Sequence, residues 1–444
     1  MRNNNPVIQI DDDIFELKQD RILNHVSSLK KFYFELSSYE KFFKIVKDNS
    51  FIDFKYLEEL HIDFISENIH FDKNAFNGLT NLKKLILDVD MVYSKYLNYE
   101  HMPYLETLCI NNAEFNNDME SYNFNMMNLK SLILKESTLE INPGFFQSFQ
   151  NLENICIKNC NLSILDESCF SNLNNITSVN IVNTNFGDNF DLFNNLLKQM
   201  PFLRRLKINS KDFIVICAHE SLMSKLEELV LVKSNKIFEI QSKSLNDLFN
   251  LENFKFLKNL KRIKLSFLDD TNHLELSQNF LSFLGNNYKS IDYIKISYLE
   301  KVEFIENAFS NFINLKFLRL SSCNINHLDH IIFDGLISLE VLNLESNKIS
   351  SLDQNVFSDL INLKSLNLSK NNIKDIDSNC FRAFNQKLEY LNLSGNSNLQ
   401  FNEKDIDEFK KLHNLNDSVE IIYEKKIEIL RIDFSKYHNI FFVP

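Results

Sequence analysis

Apolar residues in LEVLNLESNKISSLDQNVFSDLIN, residues 339–362, follow neither of the simple periods of secondary structure. Leu339, Leu342, Leu344, Ile349, Leu352, Phe357 and Leu360 drift off any helical stripe, and they alternate as a strand does only over the first few positions. A longer period resolves the pattern. Leu315, Leu339 and Leu363 lie 24 residues apart, and each begins the series L-x-x-L-x-L-x-x-(N/C)-x-I-x-x-(L/I)-x-x-x-x-F-x-x-(L/F)-x-x. The opening L-x-x-L-x-L element recurs at 15 starts: Leu29, Leu57, Leu82, Leu105, Leu129, Leu152, Ile176, Leu203, Leu226, Leu260, Ile291, Leu315, Leu339, Leu363 and Leu388. Most intervals are 23–28 residues, but those on either side of Leu260 are 34 and 31.

Each repeat predicts a short strand and a return path. Around its fourth to sixth residues, Leu342 and Leu344 face one side while Val341, Asn343 and Glu345 face the other. Strands of successive repeats then form a parallel sheet whose inner face must be covered. The F-x-x-L-x-x-L spacing of Phe357, Leu360 and Leu363 predicts a loose helical turn that covers it. The same spacing occurs at Phe76-Leu79-Leu82, Phe170-Leu173-Ile176, Phe254-Leu257-Leu260 and Phe333-Leu336-Leu339, and accounts for many of the 41 phenylalanines.

The ninth position of a repeat ends the strand. There the amides of Asn347, Asn371 and Asn396 can satisfy turn backbone groups that would otherwise be buried unpaired, at about 1–3 kcal/mol each. Cys160 and Cys323 occupy the same position and read as structural, with Ser137, Thr184 and Ser234 as weaker substitutes. Ile65, Ala113, Leu268 and Leu299 bring no polar group there, so those turns are expected to differ.

From about Leu29 to Gln400 the pattern resembles the leucine-rich repeat family in its 24-residue class, most closely from Ile291 onward and around Leu129–Ile176. The resemblance implies an α/β solenoid, a horseshoe with a concave parallel sheet and short helical or 3-10 turns on its convex side. No single repeat buries its own apolar face, so the stack needs caps. Residues 1–28 are expected to form an N-terminal cap, helical or irregular, 29–400 the solenoid, and 401–444 a C-terminal cap in which 419–434 reads as two strands.

Charge and composition narrow the class. A net charge of −12 argues against general affinity for nucleic acid phosphates or anionic membranes. The N-terminus lacks the apolar core of a signal peptide, and no apolar run is long enough to span a bilayer. The 7 cysteines are odd in number and form no zinc-type pairs. A soluble, intracellular, cytoplasmic protein in a reducing compartment is expected, without membrane insertion.

Motifs for chemistry are missing from the sequence. The 6 scattered glycines form no phosphate-binding loop, and there is no GxSxG, HExxH or paired CxxC. His327, Asp329, His330 and Asp334 lie on the turn of a regular repeat and are expected to face water rather than a metal. Asp269, Asp270 and His273 lie in a loop opened by a long interval and read as solvated. Cys109 and Cys156 are expected to project from the outer sheet face as small, half-exposed fillers. No enzyme, cofactor or metal site is expected.

The resemblance implies that partners bind along the concave face, through the third and fifth residues of each repeat. Five successive repeats there carry Arg205 and Lys207, Glu228 and Val230, Arg262 and Lys264, Tyr293 and Lys295, and Phe317 and Arg319. With strands about 4.8 Å apart this strip would be roughly 20 Å across, and Arg and aromatic residues are common anchors of interfaces. The expected function is a non-enzymatic scaffold that binds a protein, in particular an acidic segment. A secreted or surface recognition protein, receptor-like in kind, and an adaptor of a ubiquitin-ligase-type effector are the alternatives.

Overall fold

The computed structural model describes residues 7–8, 29–35, 44–46, 48–64, 69–72, 74–89, 91–92, 101–115, 126–141, 146, 149–164, 173–185, 197, 200–209, 220–232, 256–266, 273–276, 285–299, 301–304, 308–377, 379–384, 387–399, 410–411, 415 and 418–423. The chain forms two compact units, residues 1–268 with 283–287 and residues 269–282 with 288–444. Each is a parallel-strand solenoid. At all 15 repeat starts the strand begins two residues after the start, as the L-x-x-L-x-L element predicts.

In the first unit, Lys31–Glu35, Glu59–Phe64, Lys84–Val89, Thr107–Asn111, Ser131–Lys135, Asn154–Lys158, Ser178–Val182, Arg205–Asn209, Glu228–Val232 and Arg262–Ser266 pair in sequence order, all parallel. A further short strand, Val7–Ile8, pairs with Tyr33 and Phe34. Within residues 1–28, expected to form a helical or irregular cap, the described Val7–Ile8 thus contributes backbone to the ladder. In the second unit, Tyr293–Ser297, Phe317–Ser321, Val341–Asn343, Ser365–Asn367, Tyr390–Asn392 and Glu420–Ile422 continue the same design. Glu420–Ile422 lies within the segment expected to form strands in the C-terminal cap. The second of those two strands, beyond Tyr423, lies outside the described residues, as do Phe170, Phe254, Ser234, Ile65 and Leu268.

Alternation within each strand sets the core. Leu85 and Leu87, Leu132 and Leu134, and Leu206 and Ile208 are buried, as are Ile294 and Ile296 in the second unit. On the return path, Phe357, Leu360 and Leu363 are buried together, and Leu360 and Leu363 donate their backbone N–H groups to the carbonyls of Phe357 and Leu360. Such three-residue steps give 3-10 geometry rather than long α-helices. His330–Phe333 and Arg382–Phe384 are 3-10 helices of this kind. Neighbouring returns stack their rings, with Phe333 and Phe357 6.0 Å apart and Phe357 and Phe381 6.3 Å apart.

The turn after each strand has its own requirement. Its first residue has a left-handed backbone at Asn112, Asn159, Asn183, Ser346 and Lys370, with φ of 55 to 59°. Asparagine tolerates this conformation better than most side chains, and Gly395 meets it without strain at φ 74°.

A second asparagine series joins the repeats where the return path ends. Asn81, Asn128, Asn151, Asn175, Asn259, Asn314 and Asn362 each stand directly before a repeat start. Each donates its amide to a backbone carbonyl of the preceding repeat, at 2.6 to 2.9 Å.

Candidate functional site

The side chains that point away from the core line up in rows because neighbouring strands keep one register. In the first unit the central row runs Tyr33, His61, Ile86, Cys109, Ile133, Cys156, Asn180, Lys207, Val230 and Lys264. Ile86, Cys109, Ile133 and Cys156 thus form an apolar run across four strands. At the strand ends beside it, Lys135 and Lys158 stand directly opposite each other.

The charged groups of this face fall into two kinds. Lys264 is tied to Glu228 at 2.5 Å. Lys135, Lys158, Arg205 and Lys207 make no side-chain ion pair or hydrogen bond among the described residues. Three of them, Lys135, Lys158 and Lys207, converge on Cys156: burial pushes its thiol up, while their charges act in the opposite direction. Lys207 is itself half-buried, and its ammonium is held below the ordinary lysine value by desolvation first. Asn180 donates to the Cys156 sulfur at 3.3 Å and separates that thiol from Lys207 along the row.

Two expectations for this face need correction. Cys109 is only 4% exposed, not half-exposed, because its row neighbours Ile86 and Ile133 flank it and its thiol donates to Asn111. Burial pushes its thiol up to about 11, which opposes thiolate chemistry. In the second unit, Tyr293 and Phe317 are 5% and 7% exposed. They are cross-strand partners with ring centroids 6.1 Å apart, so their aromatic area already lies against protein and is not open to a partner.

The expected five-strand strip is divided between the units, with Arg205, Lys207, Arg262 and Lys264 on the first and Tyr293, Lys295, Phe317 and Arg319 on the second. Arg319 is engaged locally, with Glu345 at 3.5 Å and with Ser321 at 3.0 Å. Its neighbours further along the second unit turn back on their own backbone. Asn343, Asn367 and Asn392 accept from the N–H groups of Glu345, Ser369 and Ser394 at 2.9 to 3.0 Å.

At the ninth position, Asn347 is buried and donates to the carbonyls of Leu320 and Leu344 at 2.7 and 2.8 Å, while its oxygen accepts from Cys323 and Ile325. Asn371 and Asn396 repeat the arrangement. The Cys160 thiol points at the carbonyls of Leu134 and Lys158, and that of Cys323 at those of Ile296 and Ser321. Burial pushes the Cys323 thiol up to about 12. The five described cysteines are free.

The two clusters considered from sequence resolve differently. Asp329 caps the 3-10 helix His330–Phe333 by accepting from Ile331, and His327 is exposed. Asp269 and Asp270 lie outside the described residues, and His273 opens the strand His273–Leu276. Lys158 is legible in sequence only as a charge near Cys156, and Lys135 not at all, because both sit at the seventh position of a repeat, beyond the two outward positions considered. No described helix is long and apolar enough to cross a membrane.

A family model described as "Leucine rich repeat" matches residues 313–373, and one described as "BspA type Leucine rich repeat region (6 copies)" matches residues 98–198. No curated protein sequence matches the chain. Among solved structures, the crystal structure of a TLR13–ssRNA13 complex is similar at 18% identity and a TM-score of 0.44, over 81% of this chain and 65% of that one. This chain thus spans less than two thirds of that relative. The repeat register runs through both matched segments, and the buried turn asparagines Asn347 and Asn371 lie within the C-terminal one: the chain carries leucine-rich repeats in residues 98–198 and 313–373.

Proposed function

We propose that this chain is a non-enzymatic protein-interaction scaffold, and that the outward sheet face of its first unit binds an acidic protein segment carrying apolar side chains. One observation carries the reading. The apolar run Ile86, Cys109, Ile133 and Cys156 is bordered by Lys135, Lys158 and Lys207, none of which has an ion-pair partner among the described residues. Elsewhere on the same unit lysines are matched to acids, as Lys31 and Lys84 are to Glu59 and Lys264 is to Glu228. In a chain of net charge −12, three unmatched cations beside an apolar row complement a partner of opposite charge. Lys207 is already partly desolvated, so a carboxylate brought to it meets a lower local dielectric than at an exposed lysine.

The test is binding of an array of Glu- and Leu-rich peptides to the full chain. Lys135→Glu, Lys158→Glu and Lys207→Glu combined should weaken capture at least tenfold, with the melting temperature nearly unchanged. Raising salt should weaken wild-type capture. Arg262→Glu, Lys264→Glu and Arg319→Glu combined should weaken it less. The proposal fails if the first triple variant binds as wild type does, or if neutral peptides of the same length bind equally well.

A further inference from the structure

We propose that His61, Asp63 and Asp88, on the outward face of the second and third repeats, form a binding site for a first-row transition-metal dication such as Zn²⁺ or Co²⁺. His61 and Asp63 are two residues apart on Glu59–Phe64 and so share a face, and Asp88 on the next strand is directly opposite Asp63. Their ligand atoms all lie within 4.8 Å of one another. His61 Nε2 meets Asp88 Oδ2 at 2.5 Å. Bonds of about 2.0–2.1 Å in a tetrahedral site place ligand atoms roughly 3.3 Å apart. To reach that spacing His61 and Asp88 part slightly and Asp63 closes in.

The charge around the cluster supports a bound cation. Like charges directly opposite on adjacent strands repel. The other acids of this strand pair are matched by lysines: Glu59 lies between Lys31 and Lys84, at 2.7 and 2.8 Å, and Glu58 between Lys30 and Lys83, at 2.7 and 2.9 Å. Asp63 and Asp88 have no lysine or arginine bound to them among the described residues. The His61 imidazole is the group in contact with Asp88 that can act as counter-charge or as ligand, and the Lys135 ammonium acts on Asp88 from further off. Asp88 is 8% exposed, so burial opposes its charge at that position.

Supporting groups hold the set from behind. Tyr33 donates its hydroxyl to Asp63 Oδ2 at 2.8 Å, and its ring packs edge-on against His61 with centroids 4.4 Å apart. Asn111 donates to Asp88 Oδ1 and leaves Oδ2 facing the imidazole. Ligating carboxylates and histidines are oriented in this way in metal sites generally. A single imidazole with two carboxylates suits divalent transition metals, whereas Ca²⁺ takes six to eight oxygen ligands, so it and Mg²⁺ are disfavoured. Three protein ligands on an outward face leave a further position open to water. The site shares no residue with the proposed peptide surface, so either can fail without the other.

Equilibrium dialysis of the full chain against Co²⁺, with its visible absorption spectrum, tests the site. One equivalent should bind, with bands that shift when imidazole ligation is lost. His61→Ala and the pair Asp63→Asn with Asp88→Asn should each lower affinity at least tenfold, and Tyr33→Phe should lower it by about tenfold. Excess Ca²⁺ should not displace the metal. The metal-free melting temperature and circular dichroism of the double Asn variant serve as the folding control. The proposal is overturned if wild type shows no saturable uptake. Uptake unchanged by His61→Ala, or displaced by equal Ca²⁺, overturns it too.

Discussion

At the strand ends the second unit from Leu339 onward uses asparagine amides where the first unit, like Cys323 earlier in the second, uses a thiol or a hydroxyl. The contrast separates stability from recognition. In the second unit Asn347 and Asn371 each reach a carbonyl of the preceding strand, Leu320 and Leu344 respectively, and also tie their own turn and the next backbone N–H. In the first unit the same reach to the preceding strand is made by Cys160 to Leu134 at 3.6 Å and by Thr184 to Ile157 at 3.2 Å, each from a single-atom donor. Ser137 bonds Lys135 and Ala113 instead. A primary amide supplies two donors and an acceptor, where a hydroxyl or thiol supplies one weaker set. Outward residues differ in the opposite sense. The second unit folds Asn343, Asn367 and Asn392 onto its own backbone and shortens their strands to three residues, while the first keeps strands of five or six residues with outward side chains available.

The largest expected effect tests this difference directly. Asn371→Ala strands the N–H of Ile349 in a buried turn and leaves the carbonyls of Leu344 and Leu368 with one amide donor each, from Asn347 and Asn396. It should destabilise the second unit by about 2 kcal/mol. Ser137→Ala removes one donor and one acceptor and should cost the first unit about 1 kcal/mol. Urea denaturation of both variants measures the pair, with each unit's transition followed separately because one unfolding step need not describe both. Equal losses would break the comparison, since the amide would then contribute no more than the hydroxyl.

Much of this was legible in the sequence, for a physical reason. Inward leucines and the ninth-position asparagines answer to a single coil, so their spacing alone fixes strand, turn and register, and every repeat start from Leu29 to Leu388 precedes a strand. Outward chemistry depends on neighbours about 25 residues away, and a one-dimensional pattern does not pair them. Lys264 looked available in sequence yet meets Glu228 on the adjacent strand. Tyr293 and Phe317 looked like exposed anchors and instead cover each other. His61 and Asp88 share no motif because the register, not the spacing, brings them together. The asparagines before seven of the 15 repeat starts stand in the sequence as an N-L or N-I step, as at Asn81, Asn151 and Asn175. Their role emerges only once the carbonyl of the preceding repeat is placed against them.

The distinction between matched and unmatched lysines on the first unit gives a smaller effect. Lys264→Met leaves the largely buried Glu228 carboxylate without its partner, and should lower the stability of the first unit by about 1 kcal/mol. Lys158→Met, at an exposed position with no ion pair, should change stability by less than about 0.5 kcal/mol. Thermal melts of the two variants side by side measure the difference. If Lys158→Met costs as much as Lys264→Met, Lys158 has a structural role and is not held free for a partner.

Lys207 gives the finest test, because its contribution has a sign that changes with pH. Its folded ammonium is held below the ordinary value of 10.5, chiefly by desolvation. Between the folded value and 10.5 the unfolded chain binds more protons, so wild-type stability rises with pH across that window. The penalty is full below the folded value and vanishes once the side chain is neutral in both states. Lys207→Met removes the charge and keeps most of the apolar stem. It should therefore stabilise the first unit at neutral pH, by less than about 1 kcal/mol, and that advantage should shrink as pH approaches 10.5. Measuring the difference between variant and wild type at each pH cancels alkaline effects common to both. An advantage that stays constant with pH would assign the gain to packing. A loss at neutral pH would show that Lys207 already has a favourable electrostatic partner, and the proposed acidic segment would lose its most desolvated contact.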